Sequence, residues 1–311
     1  MRRLWTALIA ALMVTGAWAY PSKTISLVVP SKAGGSTDAT ARIFAETAKK
    51  YWTDADFIVV NKPGAGGMIG FEYTKRERPD GHTIGLMFTP QFIAHIVSKQ
   101  ASYTLDDFTI VGNVAEDQGI VVVHSDSPIK NLDDLVAAAK AKKLTASVNG
   151  IGSDDFLAAK NFESLTGTSF NMVPTKGSTE QKAAIMGAHV DVAFMNLSQM
   201  LSQHKAGQVR IIAILSKKRA DVAPDIATSV EQGYPELLMT ATRGFVISKD
   251  VNPAIQEKII DLFTKVVNDA EFQERCAKTY IFLDPMDGPT YRSYLEELQA
   301  TTQKVYDISP W

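Results

Sequence analysis

Residues Ile25–Asp38 read ISLVVPSKAGGSTD. The aliphatic run Ile25–Val29 stops at Pro30 and passes through Gly34-Gly35 to Ser36-Thr37-Asp38, ahead of the amphipathic stretch Thr37–Tyr51. A strand, a glycine turn and a helix start rich in hydroxyls and acid make the strand-to-helix step of an α/β fold. Such a turn leaves backbone N–H groups free at the positive end of a helix dipole, where an anion is favoured. The arrangement recurs at Pro63-Gly64-Ala65-Gly66-Gly67, Gly150-Ile151-Gly152-Ser153 and Lys176-Gly177-Ser178-Thr179. One such turn is ordinary. Several converging on one cleft would form a pocket for a carboxylate or phosphate.

Outward from that stretch, short β-rich runs alternate with amphipathic ones, the pattern of an α/β protein. Expected strands are Ile25–Val29, Phe57–Val60, Thr83–Phe88, Ile120–Val123, Leu144–Val148, Met172–Pro174, Val190–Phe194 and Arg210–Leu215. Expected helices include Thr37–Tyr51, Leu132–Ala141, Asp154–Leu165 and Thr179–Met186, then Ala254–Asn268, Glu271–Lys278 and Thr290–Val305. Ser178-Thr179-Glu180-Gln181 has capping-box spacing, and Asn131 ahead of Asp133 and Asp134 is a second helix start. The β run Asp117–His124 and the stretch Leu238–Thr242 read as crossovers between two lobes. One lobe then comes from residues 20–121 and 242–311, the other from 122–241. Two crossing strands between α/β lobes form a hinge, and small ligands usually sit in the cleft between.

Met1–Ala19 has the form of a secretory signal peptide: Arg2 and Arg3, the apolar run Leu4–Val14, then Ala17-Trp18-Ala19. The run is too short for a bilayer span, so a mature chain beginning at Tyr20 is expected in the periplasm. Loss of Arg2 and Arg3 leaves 30 basic against 34 acidic residues, a net charge of −4 in place of −2. With no basic stripe, nucleic acid is a poor partner. Cys276 is the only cysteine, so no internal disulfide forms despite an oxidising destination.

Catalytic readings find little support. Gly64-Ala65-Gly66-Gly67-Met68-Ile69-Gly70 mimics a dinucleotide fingerprint, but its spacing is G-x-G-x-x-x-G and the strand Thr83–Phe88 ends in Thr89-Pro90 without a ribose-binding acid. The five histidines show no metal-ligand spacing, and no G-x-S-x-G elbow occurs. No cofactor is expected.

Tyr20-Pro21-Ser22-Lys23, Val29-Pro30 leading to Ala33–Asp38, and Asn61–Gly67 together resemble the Bug family, the periplasmic solute-binding proteins of tripartite tricarboxylate transporters. Pro79–Thr83, Ser125–Pro128, Val173–Gly177 and Asp191-Val192 follow in family order, and Gly152–Asp155, Asn196–Ser198 and Arg243-Gly244 resemble the subgroup handling tricarboxylates and related acids. The resemblance implies a type II periplasmic binding protein fold, two lobes closing on an organic acid. It also implies delivery to integral membrane permease subunits by a monomer, and a carboxylate gripped by backbone amides of the first two turns.

The expected contacts are therefore Gly35, Ser36 and Thr37 in the first turn, Ala65, Gly66 and Gly67 in the second, and Thr89 after the third strand. From the other lobe or the hinge, Ser153, Asp154, Lys176, Asn196 and Arg243 complete the set. Arg243 has a guanidinium that can fork onto a carboxylate, or else ion-pair across the hinge. Asp38 braces the first turn rather than touching an anion it would repel. Ser153-Asp154-Asp155 reads as a capped helix start, or as a site for a ligand cation. Phe156 and Thr242 stand where similar proteins tend to have histidine and tryptophan, and Thr242 is expected at the pocket rim. Two rivals share the fold or the cleft: a module presenting ligand to a membrane kinase, and a periplasmic enzyme with an anion-holding site.

Overall fold

In the computed structural model the described residues are 20–308, 310 and 311, so the expected signal peptide lies outside them. The elements run β1 (Ile25–Val29), α1 (Ser36–Ala48), β2 (Phe57–Asn61), α2 (Met68–Arg76), β3 (Thr83–Phe88) and α3 (Gln91–Val97). Then come β4 (Phe108–His124), α4 (Leu132–Ala141), β5 (Thr145–Val148), α5 (Asp154–Thr166), β6 (Asn171–Pro174), α6 (Ser178–Met186), β7 (Val192–Asn196), α7 (Leu197–Lys205) and β8 (Val209–Ile214). The chain closes with β9 (Thr240–Ser248), α8 (Pro253–Val267), α9 (Ala270–Lys278), β10 (Leu283–Asp287) and α10 (Gly288–Ile308).

The strand order β2-β1-β3-β9-β4-β7-β5-β6 contains two sheets that share β4. Residues Phe108–Gln118 of β4 pair antiparallel with β9, while Gly119–Val122 pair with β7 and Ile120–His124 with β8. Strands β1, β2 and β3 pair in parallel, as do β5, β6 and β7. Each sheet is therefore buried on both faces, which is why these runs are aliphatic without polar alternation. In the second sheet Val121 and Val123 face the cluster containing Leu135 and Phe162, whereas Ile120 and Val122 face Ile185 and Leu201. In the first sheet Phe245 and Ile247 pack against Phe44 and Phe263, and Val246 turns to Phe92 and Leu295 on the opposite face. The fold is mixed α/β with two lobes, and β4 and β9 run between them.

The helix starts follow local chemistry. Asn131 caps α4 by accepting from the Asp134 N–H, and Asn252 and Asp269 cap α8 and α9. The capping box at Ser178 does not form. Gly177 is the N-cap of α6 and Ser178 its first residue. Gln181, fully buried, instead donates its amide to the carbonyls of Ser147 (3.1 Å) on β5 and Phe194 on β7. The expected elements leave out helices α2 and α7, the short apolar helix α3, the first half of β4, and β10, an edge strand carrying Pro285.

Candidate ligand-binding site

A cavity of about 1010 Å³ opens among the β1–α1 and β2–α2 turns, the end of β3, the starts of α5 and α6, and the crossing strand β9. It lies within reach of all four glycine turns, the second-lobe pair contributing Asn149-Gly150 and Thr175–Thr179.

The first turn is built to leave donors free. Gly35 is the N-cap of α1 and has no side chain to bond the first helical N–H groups, so those beside Ser36 and Thr37 face the cavity. Asp38 is the brace: its carboxylate accepts from the Gly34 N–H (2.9 Å), from Arg42 (2.9 and 3.0 Å) and from the Asn61 amide (2.9 Å). Burial alone would raise its pKa. The hydrogen bonds from Arg42, Gly34 and Asn61 outweigh that and hold the carboxyl below its ordinary value.

The second turn has positive φ at Gly64, Ala65, Gly66 and Gly67 in succession, a path that glycine makes accessible. A Cβ at Gly67 would lie 2.7 Å from the Phe88 ring and 2.9 Å from Phe71. His95, which sequence reasoning missed, sits under this turn with Nε2 3.3 Å from the Gly66 carbonyl. Burial keeps its imidazole below the ordinary range, against the pull of the Gly66 and Ala65 backbone.

Of the expected contacts, Gly35, Ser36, Thr37, Ala65, Gly66, Gly67, Thr89, Asp154, Lys176, Asn196 and Arg243 line the cavity; Ser153 does not. Ser153 is fully buried, accepting from the Phe156 N–H (3.0 Å) and donating to the Gly150 carbonyl (2.8 Å). Its hydroxyl caps α5 and is spent on the backbone. Thr89 is wall rather than free donor. Its hydroxyl meets that of Thr242 at 2.7 Å and accepts from the Thr242 N–H at 3.0 Å. Thr242, expected at the rim, is fully buried and passes the chain on to the Tyr291 hydroxyl at 2.7 Å.

The far wall is a polar network. Arg243 donates through Nη2 to Asp117 Oδ2 (3.0 Å), so the ion-pair alternative is realised while the residue still lines the cavity. Its Nε is buried without a partner. Asp117 also accepts from the Ser198 N–H (3.1 Å) and hydroxyl. Asn196 donates to Asp154 Oδ2 at 2.6 Å and accepts from Gln199 at 2.9 Å. Burial pushes the Asp154 carboxyl above its ordinary value, and Asp117 adds to that, while Asn196 and Arg243 oppose it. Asp155 does not line the cavity and accepts from the Asn149 N–H at 3.1 Å. Burial, with the charge of Asp154 behind it, raises its carboxyl well above the usual range.

Two further residues come from the structure. Gln91, the first residue of α3, lines the cavity with its Oε1 unpartnered. Glu180 lines it too and accepts from the Lys176 N–H at 2.7 Å. The sequence signal for Gln91 was adjacency to Pro90, and for Glu180 its place in the capping-box stretch after the fourth turn. Cys276 is remote and buried, and that burial raises its thiol to about 12, far from a nucleophile's range. Among the described residues no group of three or more His, Cys, Asp or Glu is placed to hold a metal.

Comparison with known proteins matches residues 40–303 to the family described as tripartite tricarboxylate transporter family receptor. BugT of Bordetella pertussis is 32% identical over 256 residues, 81% of this chain and 77% of BugT. A TctC solute-binding protein from Polaromonas superposes with a TM-score of 0.75 at 25% identity, covering 93% of this chain and 99% of that one. MatC from Rhodopseudomonas palustris, solved with bound malate, shares the fold at a TM-score of 0.84 and 21% identity, covering 92% of this chain and 99% of MatC. A second R. palustris protein, solved with adipate, shares it at 0.83 and 21%, covering 93% of this chain and 97% of the other. The chain belongs to the tripartite tricarboxylate transporter receptor family, whose members are solute-binding receptors.

Proposed function

We propose that this protein is exported to the periplasm, loses residues 1–19, and captures a small organic di- or tricarboxylate between its lobes for delivery to the permease subunits of a tripartite transporter. The observation that carries the reading is the convergence of glycine-capped helix starts from both lobes on one cavity. Gly35 and Gly177 both lack a capping side chain, and both line it. Backbone donors from the first lobe would hold one carboxylate, and Lys176 with the α6 start would meet another across the cleft. Bound malate and adipate in proteins of this fold support an acid of that size. A ligand touching both walls favours the closed state by its excess affinity for that state.

The test is a thermal-shift screen of the chain from Tyr20 to Trp311, unfolded and refolded to strip ligand, against citrate, tricarballylate, succinate, adipate, glutamate and uncharged controls. A ligand at about 100 times its dissociation constant adds about 2.7 kcal/mol of stability. A shift confined to polyacids supports the reading; no shift with any acid overturns it.

A further inference from the structure

The following inference rests on the polycarboxylate reading and narrows it. Most of the cavity's polar lining donates: the first turns of α1 and α6, Lys32, Lys176 and Arg243. Two lining carboxylates stand against that pattern: Glu180, which accepts from the Lys176 N–H, and Asp154. Asp154 is 4% exposed yet lines the cavity, and its one side-chain partner is the Asn196 amide at Oδ2. The Arg243 guanidinium is already paired with Asp117. Asn196 is held in turn by Gln199, so its amide is committed to Asp154 rather than offered to a ligand.

A carboxylate at this point of an anion-holding cavity repels a second carboxylate brought against it. It accepts readily from a hydroxyl or an ammonium group. Gln91 supplies an independent observation. It is 6% exposed, lines the same cavity, and its Oε1 has no partner. An unpaired buried amide costs stability unless something occupies it. The elements bearing the two groups adjoin, because a Cβ built at Gly152 would lie 3.4 Å from the Ala94 Cβ. Ala94 is one helical turn beyond Gln91, and Gly152 is two residues before Asp154.

We propose that the ligand is a polyacid bearing a hydrogen-bond donor on its carbon chain, a hydroxyl or an ammonium group. Asp154 accepts from that donor and Gln91 bonds beside it. Unsubstituted diacids leave Asp154 with Asn196 as its one side-chain partner and the Gln91 carbonyl with none, and bind more weakly.

The test is titration calorimetry of ligand-stripped protein with matched acids: succinate against malate and aspartate, and tricarballylate against citrate. At least one substituted acid is expected to bind about tenfold or more tightly than its unsubstituted counterpart, the range of one hydrogen bond to a charged group. Malate or citrate ahead identifies a hydroxyl, aspartate an ammonium. Asp154→Asn is expected to bring that ratio toward one, and Gln91→Leu to reduce it while leaving the ligand-free melting temperature equal or higher. Asp154→Ser serves if the first variant does not fold, and equal wild-type affinities overturn the inference without either. Equal affinities within each matched set, or a ratio that persists in Asp154→Asn, overturn the inference and leave the polycarboxylate reading standing. If wild-type protein binds none of these acids, that reading fails and this one falls with it.

Discussion

Arg243 and Asp117 are diagonal neighbours on the two strands that run between the lobes. Arg243 of β9 opposes Ala115 of β4, Asp117 opposes Ala241, and the side chains meet at 3.0 Å with 8% and 2% of their surfaces exposed. Diagonal positions on one face of an antiparallel pair lie within reach of a long side chain. The cavity's guanidinium is thus held by the antiparallel pair of β4 and β9. Removing one partner strands a buried charge, whereas an apolar replacement of both need not. Asp117→Ala is expected to cost about 3–5 kcal/mol in chemical denaturation. Asp117→Leu with Arg243→Met should cost less than that single change; an equal or greater loss would show that the pair is not what the single change disrupts.

The second turn tolerates little bulk. Gly67 has φ +96 and a hypothetical Cβ in collision with Phe88 and Phe71. Gly67→Ala is expected to lower stability by about 1–3 kcal/mol and weaken acid binding together. A variant with native melting temperature and native affinity would show that the turn can move aside.

Ser153 separates a cap from a contact. Ser153→Ala removes an N-cap hydrogen bond worth about 1 kcal/mol. The melting temperature should fall with ligand affinity retained, because the hydroxyl bonds Phe156 and Gly150 and does not line the cavity. A large loss of affinity at native stability would restore Ser153 as a ligand contact.

Asp155 should make the protein base-sensitive. Its folded pKa is raised, first by burial and then by Asp154, so the folded state holds a proton that the unfolded chain releases near pH 4. Stability then falls as pH rises from that value through the folded pKa, the reverse of an ion-paired carboxylate. Hydrogen bonds from Gln181 and Asn149 favour the ionised carboxylate and pull the other way, without offsetting the burial. Melting curves across this pH range should be flatter for Asp155→Asn than for wild type. An unchanged slope would assign the pH dependence elsewhere.

Asp38 acts with the opposite sign. Its folded pKa is depressed despite burial, by Arg42, Gly34 and Asn61, so its contribution is complete above the ordinary carboxylate value and is lost as pH falls through the folded one. Asp38→Asn should remove part of the acid-side loss of stability and loosen the first turn. The check is the acid limb of the same melting series, where identical limbs would count against the brace.

The turns were legible because their signals are local. Strand, glycine and hydroxyl follow within about a dozen residues at Ile25–Thr37, and backbone sterics and helix capping act over that distance. The first half of β4 was hidden because register shifts after Ile110 and Asn113 break the period-two alternation. Edge strand β10 was hidden by Pro285, and α3 by being too short and too evenly apolar to show a face. Likewise Ser178 and Gln181 have the spacing of a capping box, yet buried carbonyls from two strands claimed the glutamine.

The sequence alone determined the α/β class and the family, since these depend on patterns along the chain. Only the tertiary structure decided what the side chains do. Asp117 and Arg243 are 126 positions apart, Asp154 and Asn196 are 42 apart, and Gln91 reaches the cavity on a helix that periodicity did not show. Burial strips water from these groups, and each must then find its partner in whatever residue the fold brings beside it.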